Sequence, residues 1–326
     1  MRKLILLLLS SSLVACGSDP GPTTEPLDTI LAGGTVYSGD NTAGVIADVG
    51  IAGDRVVAMG DLGDREAALR LDVSGLAVVP GFIDIHSHAV RSDPTDGIFR
   101  WPDAENLIRQ GVTTVIGGPD GGSPLPITDT LTAIENAPAA VNFGTFVGHG
   151  SIRRKVIGEA DRPPTDDELD RMRAEVRDAM EAGAYGLSSG LIYLPGRFAT
   201  TEEVIELARV AAEYDGIYIS HMREEGLDLL KSVAETIRIG EEGGLPTQLT
   251  HHKVVGAPMW GKSMDTLRMV DEAIARGVDV SIDQYPYTAS STSLTILFPG
   301  WSLDGGRPAL LERIADAGQR ARLRDD

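Results

Sequence analysis

The chain has one cysteine, Cys16, so no disulfide can form within it. Aromatic residues make up only 5%, and basic residues are outnumbered: 29 Lys and Arg face 48 Asp and Glu, for a net charge of -19. A surface that acidic repels phosphate backbones, which argues against nucleic-acid binding and against broad adhesion to anionic lipid. Long apolar runs are missing too. Residues 4–14 form a largely apolar stretch of 11 residues, whereas a helix needs about 20 to span a bilayer.

What is present suffices for a large core. The 326 residues are 42% hydrophobic, enough for one large domain or for a large domain with a small one. The 38 glycines suit a fold with many tight strand-to-helix turns.

The N-terminus reads as a processing segment. Arg2 and Lys3 precede the apolar stretch, which ends in Leu13-Val14-Ala15-Cys16. This string resembles the bacterial lipobox. The resemblance implies that residues 1–16 are a lipoprotein signal peptide and that Cys16 is lipidated. It also implies a cell-envelope address; Gly17 after the cysteine, rather than Asp, favours the periplasmic face of the outer membrane. Without Arg2 and Lys3 the charge is -21, from 27 basic and 48 acidic side chains. Residues 17–27, rich in Pro, Gly and Thr, read as a flexible tether.

Residues 28–79 hold short apolar runs separated by Gly-Gly, Gly-Asp and Ser-Gly pairs, the pattern of a small antiparallel sheet or β-sandwich. From residue 80 the pattern changes. Apolar runs at 81–85, 112–116, 143–147, 184–187, 217–219, 247–250 and 278–282 alternate with helical patterns at 165–182, 201–214, 227–243 and 263–276. Thr165 with Glu168, and Thr200 with Glu203, stand at capping-box spacing. Strand then helix, repeated, predicts an α/β fold with a parallel sheet. Seven strands in this span favour a (β/α)8 barrel lacking its last strand, over 80–326.

The six histidines, His86, His88, His149, His221, His251 and His252, each follow an apolar run, and none falls in an expected helix. In a barrel that is the C-terminal face, where catalytic residues gather. On a strand, residues i and i+2 point the same way, so His86 and His88 can reach one ion together. With His221 and His251 on later strands, four imidazoles suit a zinc site of one or two ions.

Several strings together resemble the amidohydrolase superfamily and, within it, the D-aminoacylase branch. They are Pro80-Gly81-Phe82-Ile83-Asp84-Ile85-His86-Ser87-His88, the stretch from Gly183 to Gly196, Ser220-His221-Met222-Arg223-Glu224-Glu225, Thr250-His251-His252-Lys253 and Asp283-Gln284-Tyr285-Pro286-Tyr287. The resemblance implies a zinc-dependent hydrolase of the N-acyl amide bond of N-acyl-D-amino acids. His221 and His251 resemble the ligands of the tightly held zinc, and His86 and His88 those of a second position. The branch usually takes a bridging Cys from the end of the second strand; here Asp120 stands at that position, a harder but competent ligand. Tyr193, Lys253, Tyr285 and Ser291 resemble substrate-binding groups. Arg223 is either a carboxylate contact or a partner of Glu225. His149 occupies a family-like position without an assigned role, and His252 is expected to be packed.

The general base that the resemblance implies, an Asp ending the eighth strand, has no match; Asp283 belongs to the seventh-strand motif. The chain is therefore expected to be part of a longer enzyme and to turn over little substrate itself. Residues 301–326 resemble a helical region. Two other readings stand beside this one: another amidohydrolase chemistry, such as a cyclic amidase or a dipeptidase, and a catalytically dead metal-binding or scaffold protein of the envelope.

Overall fold

The computed structural model describes residues 26–90 and 96–326. The signal segment, Cys16 and nearly all of the tether lie outside that range. The chain divides after Pro80 into two compact units.

The first unit is one five-stranded sheet: β1 (Leu27–Val36), β2 (Val45–Ala52), β3 (Arg55–Gly60), β4 (Ala67–Asp72) and β5 (Ala77–Val78). β2 pairs antiparallel with β1 and with β3, whereas β4 and β5 run parallel to β1. The expected antiparallel arrangement is thus corrected to a mixed sheet, and the described residues form no β-sandwich. β1 changes partner at a bulge. Gly33 adopts φ +74°, and the register shifts between Leu31 and Gly34. The strand then pairs with β4 through Ala32 and with β5 from Thr35 onward. Leu27, Ile30 and Leu62 form its small core.

The second unit alternates strand and helix as expected. Its strands are β6 (Phe82–Asp84), β7 (Val112–Gly117), β8 (Asn142–Thr145), β9 (Val147–Gly148), β10 (Gly186–Gly190), β11 (Ile217–His221), β12 (Thr247–Leu249) and β13 (Val280–Ile282). Every pairing among them is parallel. β8 and β9 are one strand interrupted at Phe146, whose N–H still donates to Gly117 O at 2.9 Å. The order is therefore seven consecutive strands, the sequence order of a (β/α)8 barrel.

The helices are α1 (Glu105–Ile108), α2 (Ile127–Asn136), α3 (His149–Val156), α4 (Asp166–Glu181), α5 (Thr201–Ala212), α6 (Leu229–Gly243), α7 (Ser263–Ala275), α8 (Gly300–Leu303), α9 (Gly306–Ala315) and α10 (Ala317–Asp325). The last three form the helical region expected over 301–326. Met172, Val176 and Ala179 of α4 and Val204, Leu207 and Ala208 of α5 bury against Val147, Leu187 and Tyr218 of the strands. Val233 and Ile237 of α6 and Val270 and Ala273 of α7 pack on Leu249 and Val280. Ile116, Phe146 and Ile219 form a smaller cluster. No helix among the described residues is long and apolar enough to cross a membrane.

The two capping-box sequences end differently. Thr165 and Glu168 form the full reciprocal box at the start of α4. At α5 the Thr200 side chain accepts from Glu203 N–H, but the Glu203 carboxylate turns away, to His149 at 2.9 Å and to the Arg153 guanidinium. All three side chains are fully buried. This corrects the expected placement of His149: it opens α3 and belongs to a buried ion network.

Candidate metal centre

Asp120 sits in the turn after β7, and four imidazoles converge on its carboxylate. Oδ1 lies 3.3 Å from His86 Nε2, 3.6 Å from His221 Nδ1 and 3.5 Å from His251 Nε2. Oδ2 lies 3.2 Å from His88 Nε2. Two donors sharing a tetrahedral ion at about 2.0–2.1 Å sit about 3.3–3.4 Å apart, so these separations suit ligands of a common metal. The Nδ1 of His86 and Oδ1 of Asp120 are buried without a hydrogen-bond partner. Buried polar atoms are normally paired, and an orphaned Asp120 Oδ1 facing three imidazole nitrogens across such gaps fits a cation; the His86 Nδ1 lies on the other side of its ring, 3.9 Å from Asp283 Oδ2.

The histidines arrive by a route other than strand alternation. β6 stops at Asp84, whose Oδ1 accepts from the His86 N–H at 3.0 Å. His86 and His88 thus stand in the loop beyond, their ring centroids 5.6 Å apart. β12 likewise stops at Leu249. His251 takes the left-handed φ of +37° and its N–H donates to the Asp283 carboxylate. Only His221 ends a strand proper.

The Asp120 turn is held on both flanks. Asp120 has φ +55°, a region that Asp tolerates better than most residues. The buried Ser188 Oγ on β10 donates to Gly118 O at 2.6 Å and accepts from Gly121 N–H at 3.2 Å. From α3, Ser151 N–H donates to Gly121 O at 3.0 Å. Gly190 permits the approach: a Cβ there would fall 2.2 Å from Asp120 O.

Charge is arranged around this centre. Burial opposes ionisation of Asp120, but His221, His251, His86 and His88 outweigh it and hold the carboxyl well below the usual range. Burial also opposes the charge of His251, yet Asp120 and Glu225 push it up to about 9. Burial lowers His221. A buried carboxylate amid imidazoles draws cations, and an arriving metal displaces protons from its ligands.

Two groupings among the described residues could hold an ion: His86, Asp120 and His251, and also His221, Glu225 and His251. The second has an occupant already. Lys253 Nζ lies 2.7 Å from Glu225 Oε1 and 2.8 Å from His251 Nδ1, so a dication there would meet an ammonium. The Asp120 grouping, extended by His88 and His221, is the candidate centre.

A cavity of about 620 Å³ opens over it, lined among others by Tyr193, Lys253, Tyr285 and Ser291. Those four expected substrate contacts are therefore brought to one place. Tyr193 OH lies 3.3 Å from His221 Nδ1 and 2.9 Å from Thr292 Oγ1. Burial pushes its hydroxyl up to about 12, so it remains a donor at neutral pH. Arg223 is the correction. It does not line the cavity, and its guanidinium is taken by Glu235 at 2.8 Å and by the carbonyls of Arg197 and Ala199. His252 is packed, as expected; its Nε2 is buried without a partner. Sequence reasoning offered Glu225 only as a partner for Arg223; the structure gives Arg223 to Glu235 and turns Glu225 to His251 and Lys253.

Parallel strands whose C-terminal ends converge on four imidazoles and a carboxylate define a barrel built to hold metal. Residues 71–323 match the Amidohydrolase family, and the chain belongs to it. It is 42% identical over 294 residues to a D-aminoacylase of Alcaligenes xylosoxydans xylosoxydans, covering 83% of this chain and 60% of that protein. It resembles the crystal structure of a D-aminoacylase at a TM-score of 0.75 and 40% identity, over 81% of this chain and 60% of the other. The same TM-score of 0.75, at 34% identity and over 81% and 59% of the two chains, relates it to N-acyl-D-glutamate deacylase from Bordetella bronchiseptica, complexed with zinc and a phosphonate mimic of the tetrahedral intermediate. The chain thus spans about three fifths of the length of these relatives.

Proposed function

We propose that this barrel serves the zinc-dependent hydrolysis of the N-acyl amide bond of N-acyl-D-amino acids. The observation that carries the reading is the Asp120 carboxylate ringed by four imidazoles, in a chain whose relatives are D-amino-acid deacylases. His221, His251 and Asp120 would hold one zinc, and His86, His88 and Asp120 a second. When bound, the ion supplies Lewis acidity towards the amide carbonyl and activates water.

The chain's own groups do the rest. Tyr193 presents a protonated hydroxyl beside the centre, placed to donate to the carbonyl oxygen as charge builds on it. Lys253 offers the ammonium for the substrate carboxylate, steadied 5.5 Å above the Tyr285 ring. Asp283 is engaged through both oxygens, by His251 N–H and by Gln248, and is not assigned the proton-accepting role. We assign that role to none of the described residues.

Calorimetry on the zinc-loaded chain tests the reading. N-acetyl-D-methionine should bind in preference to its L enantiomer, and chelation of zinc should abolish the preference. Equal binding of the enantiomers, or binding indifferent to zinc, overturns it.

We propose further that Cys16 carries a lipid anchor and that the protein sits at the periplasmic face of the outer membrane. The basic start, the short apolar stretch and Leu13-Val14-Ala15-Cys16 support this. One or two acyl chains at about 0.8 kcal/mol per buried methylene make such an anchor. Cys16→Ser should move the protein from the membrane to the soluble fraction on cell fractionation. An unchanged distribution rules the anchor out.

A further inference from the structure

Glu225 lies in the loop after β11, buried to 8% exposure. Its Oε1 is 3.1 Å from His251 Nδ1 and 2.7 Å from Lys253 Nζ, while Lys253 Nζ and His251 Nδ1 are 2.8 Å apart. An ammonium only donates, and a metal-binding imidazole is neutral, so for that form of His251 this three-way contact has two solutions. In one, His251 Nδ1 is bare and accepts from Lys253. Nε2 then carries the proton, aimed at Asp120 and at His221 Nδ1, 2.7 Å away, and cannot bind metal. In the other, Nδ1 carries the proton and donates to Glu225, which also accepts from Lys253. Nε2 then turns a lone pair towards Asp120. A carboxylate at position 225 accepts from both donors through one oxygen and also supplies the counter-charge for the ammonium. The backbone supports the same link, since Val255 N–H donates to Glu225 O at 2.8 Å.

We propose that Glu225 is a positioning residue that sets the metal-binding tautomer of His251 and, through the same oxygen, holds Lys253 where a substrate carboxylate must dock. It thereby couples the metal to recognition of the substrate. The inference rests on the metal-centre reading above. Partners of this kind fix ring orientation, and their loss typically costs about 10–100-fold in metal affinity.

The test uses chelator competition for zinc and histidine ¹⁵N NMR. Glu225→Gln keeps the shape and loses the charge, and should bind zinc about 10–100-fold more weakly. Glu225→Asp should fall between it and the wild type, and Glu235→Gln, whose carboxylate meets Arg223 and the Thr201 hydroxyl rather than the metal centre, should match the wild type. Calorimetry should show Glu225→Gln losing affinity for N-acetyl-D-methionine but not for its carboxylate-free amine analogue. In the zinc-loaded wild type, the His251 resonances should report a protonated Nδ1, a measurement independent of how any variant folds. Unchanged zinc affinity in a folded Glu225→Gln variant overturns the proposal, as does a protonated Nε2 on His251. A wild-type chain that takes up no zinc would overturn the metal-centre reading itself, and this inference with it.

Discussion

Asp120→Asn should weaken zinc binding by more than the 10–100-fold typical of groups one step removed from a metal, because it removes the single carboxylate that all four imidazoles face. Asparagine is the informative choice. It shares aspartate's tolerance for the left-handed backbone at φ +55°, so the turn clamped by Ser188 and Ser151 should persist. Alanine would mix metal loss with backbone strain. The melting temperature of the metal-free variant should stay near that of the metal-free wild type, while zinc stoichiometry and affinity collapse. Unchanged stoichiometry and affinity would remove Asp120 from the site.

Glu203→Ala should destabilise the second unit by about 3–5 kcal/mol, the usual cost of removing one partner of a buried ion pair. Arg153 would keep its bond to Arg162 O at 2.6 Å but carry a fully buried charge without a counter-ion. Against a typical stability of about 5–15 kcal/mol, that brings the fold close to unfolding at 37 °C. Burial opposes the Glu203 charge, but His149 and Arg153 outweigh it, so the folded carboxyl titrates below its ordinary 4.5. The sign follows from linkage. The stabilisation is complete above about 4.5 and is lost as pH falls through the lower folded value. Urea denaturation should therefore show wild-type stability falling below pH 4.5, with a flatter acid limb in Glu203→Gln. Parallel limbs for the two proteins would contradict the assignment.

Much of the centre was legible before the fold was known, because histidines after successive apolar runs must meet at the strand ends of a barrel. The geometry was not. His86 and His88 meet Asp120 from a loop, since the Asp84 side chain takes the His86 N–H. Arg223 stands two residues beyond His221, yet its planar fork finds a carboxylate 12 residues away on α6. Of the adjacent Glu224 and Glu225, the first accepts from the Gly226 N–H at 2.5 Å and the second faces the centre; periodicity cannot rank them. The same limit governs the capping boxes. Thr165 and Thr200 have identical spacing to their glutamates, but only Glu203 stands near a buried arginine that needs a counter-charge. β4 pairs in parallel with the first half of β1, Leu27 opposite Ala67, and so distant a partner leaves no local signal of strand direction in the sequence.

The ring around Asp120 contains nitrogen and oxygen donors only, and Cys16 is the sole cysteine of the chain. A thiolate bridge would be open to oxidation up to irreversible acids; a carboxylate has no such ladder to climb. Peroxide, mercurials and alkylating reagents thus find no sulfur to attack at the metal centre. Its tolerance of hard ions widens at the same time, because carboxylate and imidazole discriminate less sharply than thiolate against manganese or cobalt. With Asp120 as the proposed bridge, the centre gives up some grip on soft metals in exchange for indifference to redox conditions.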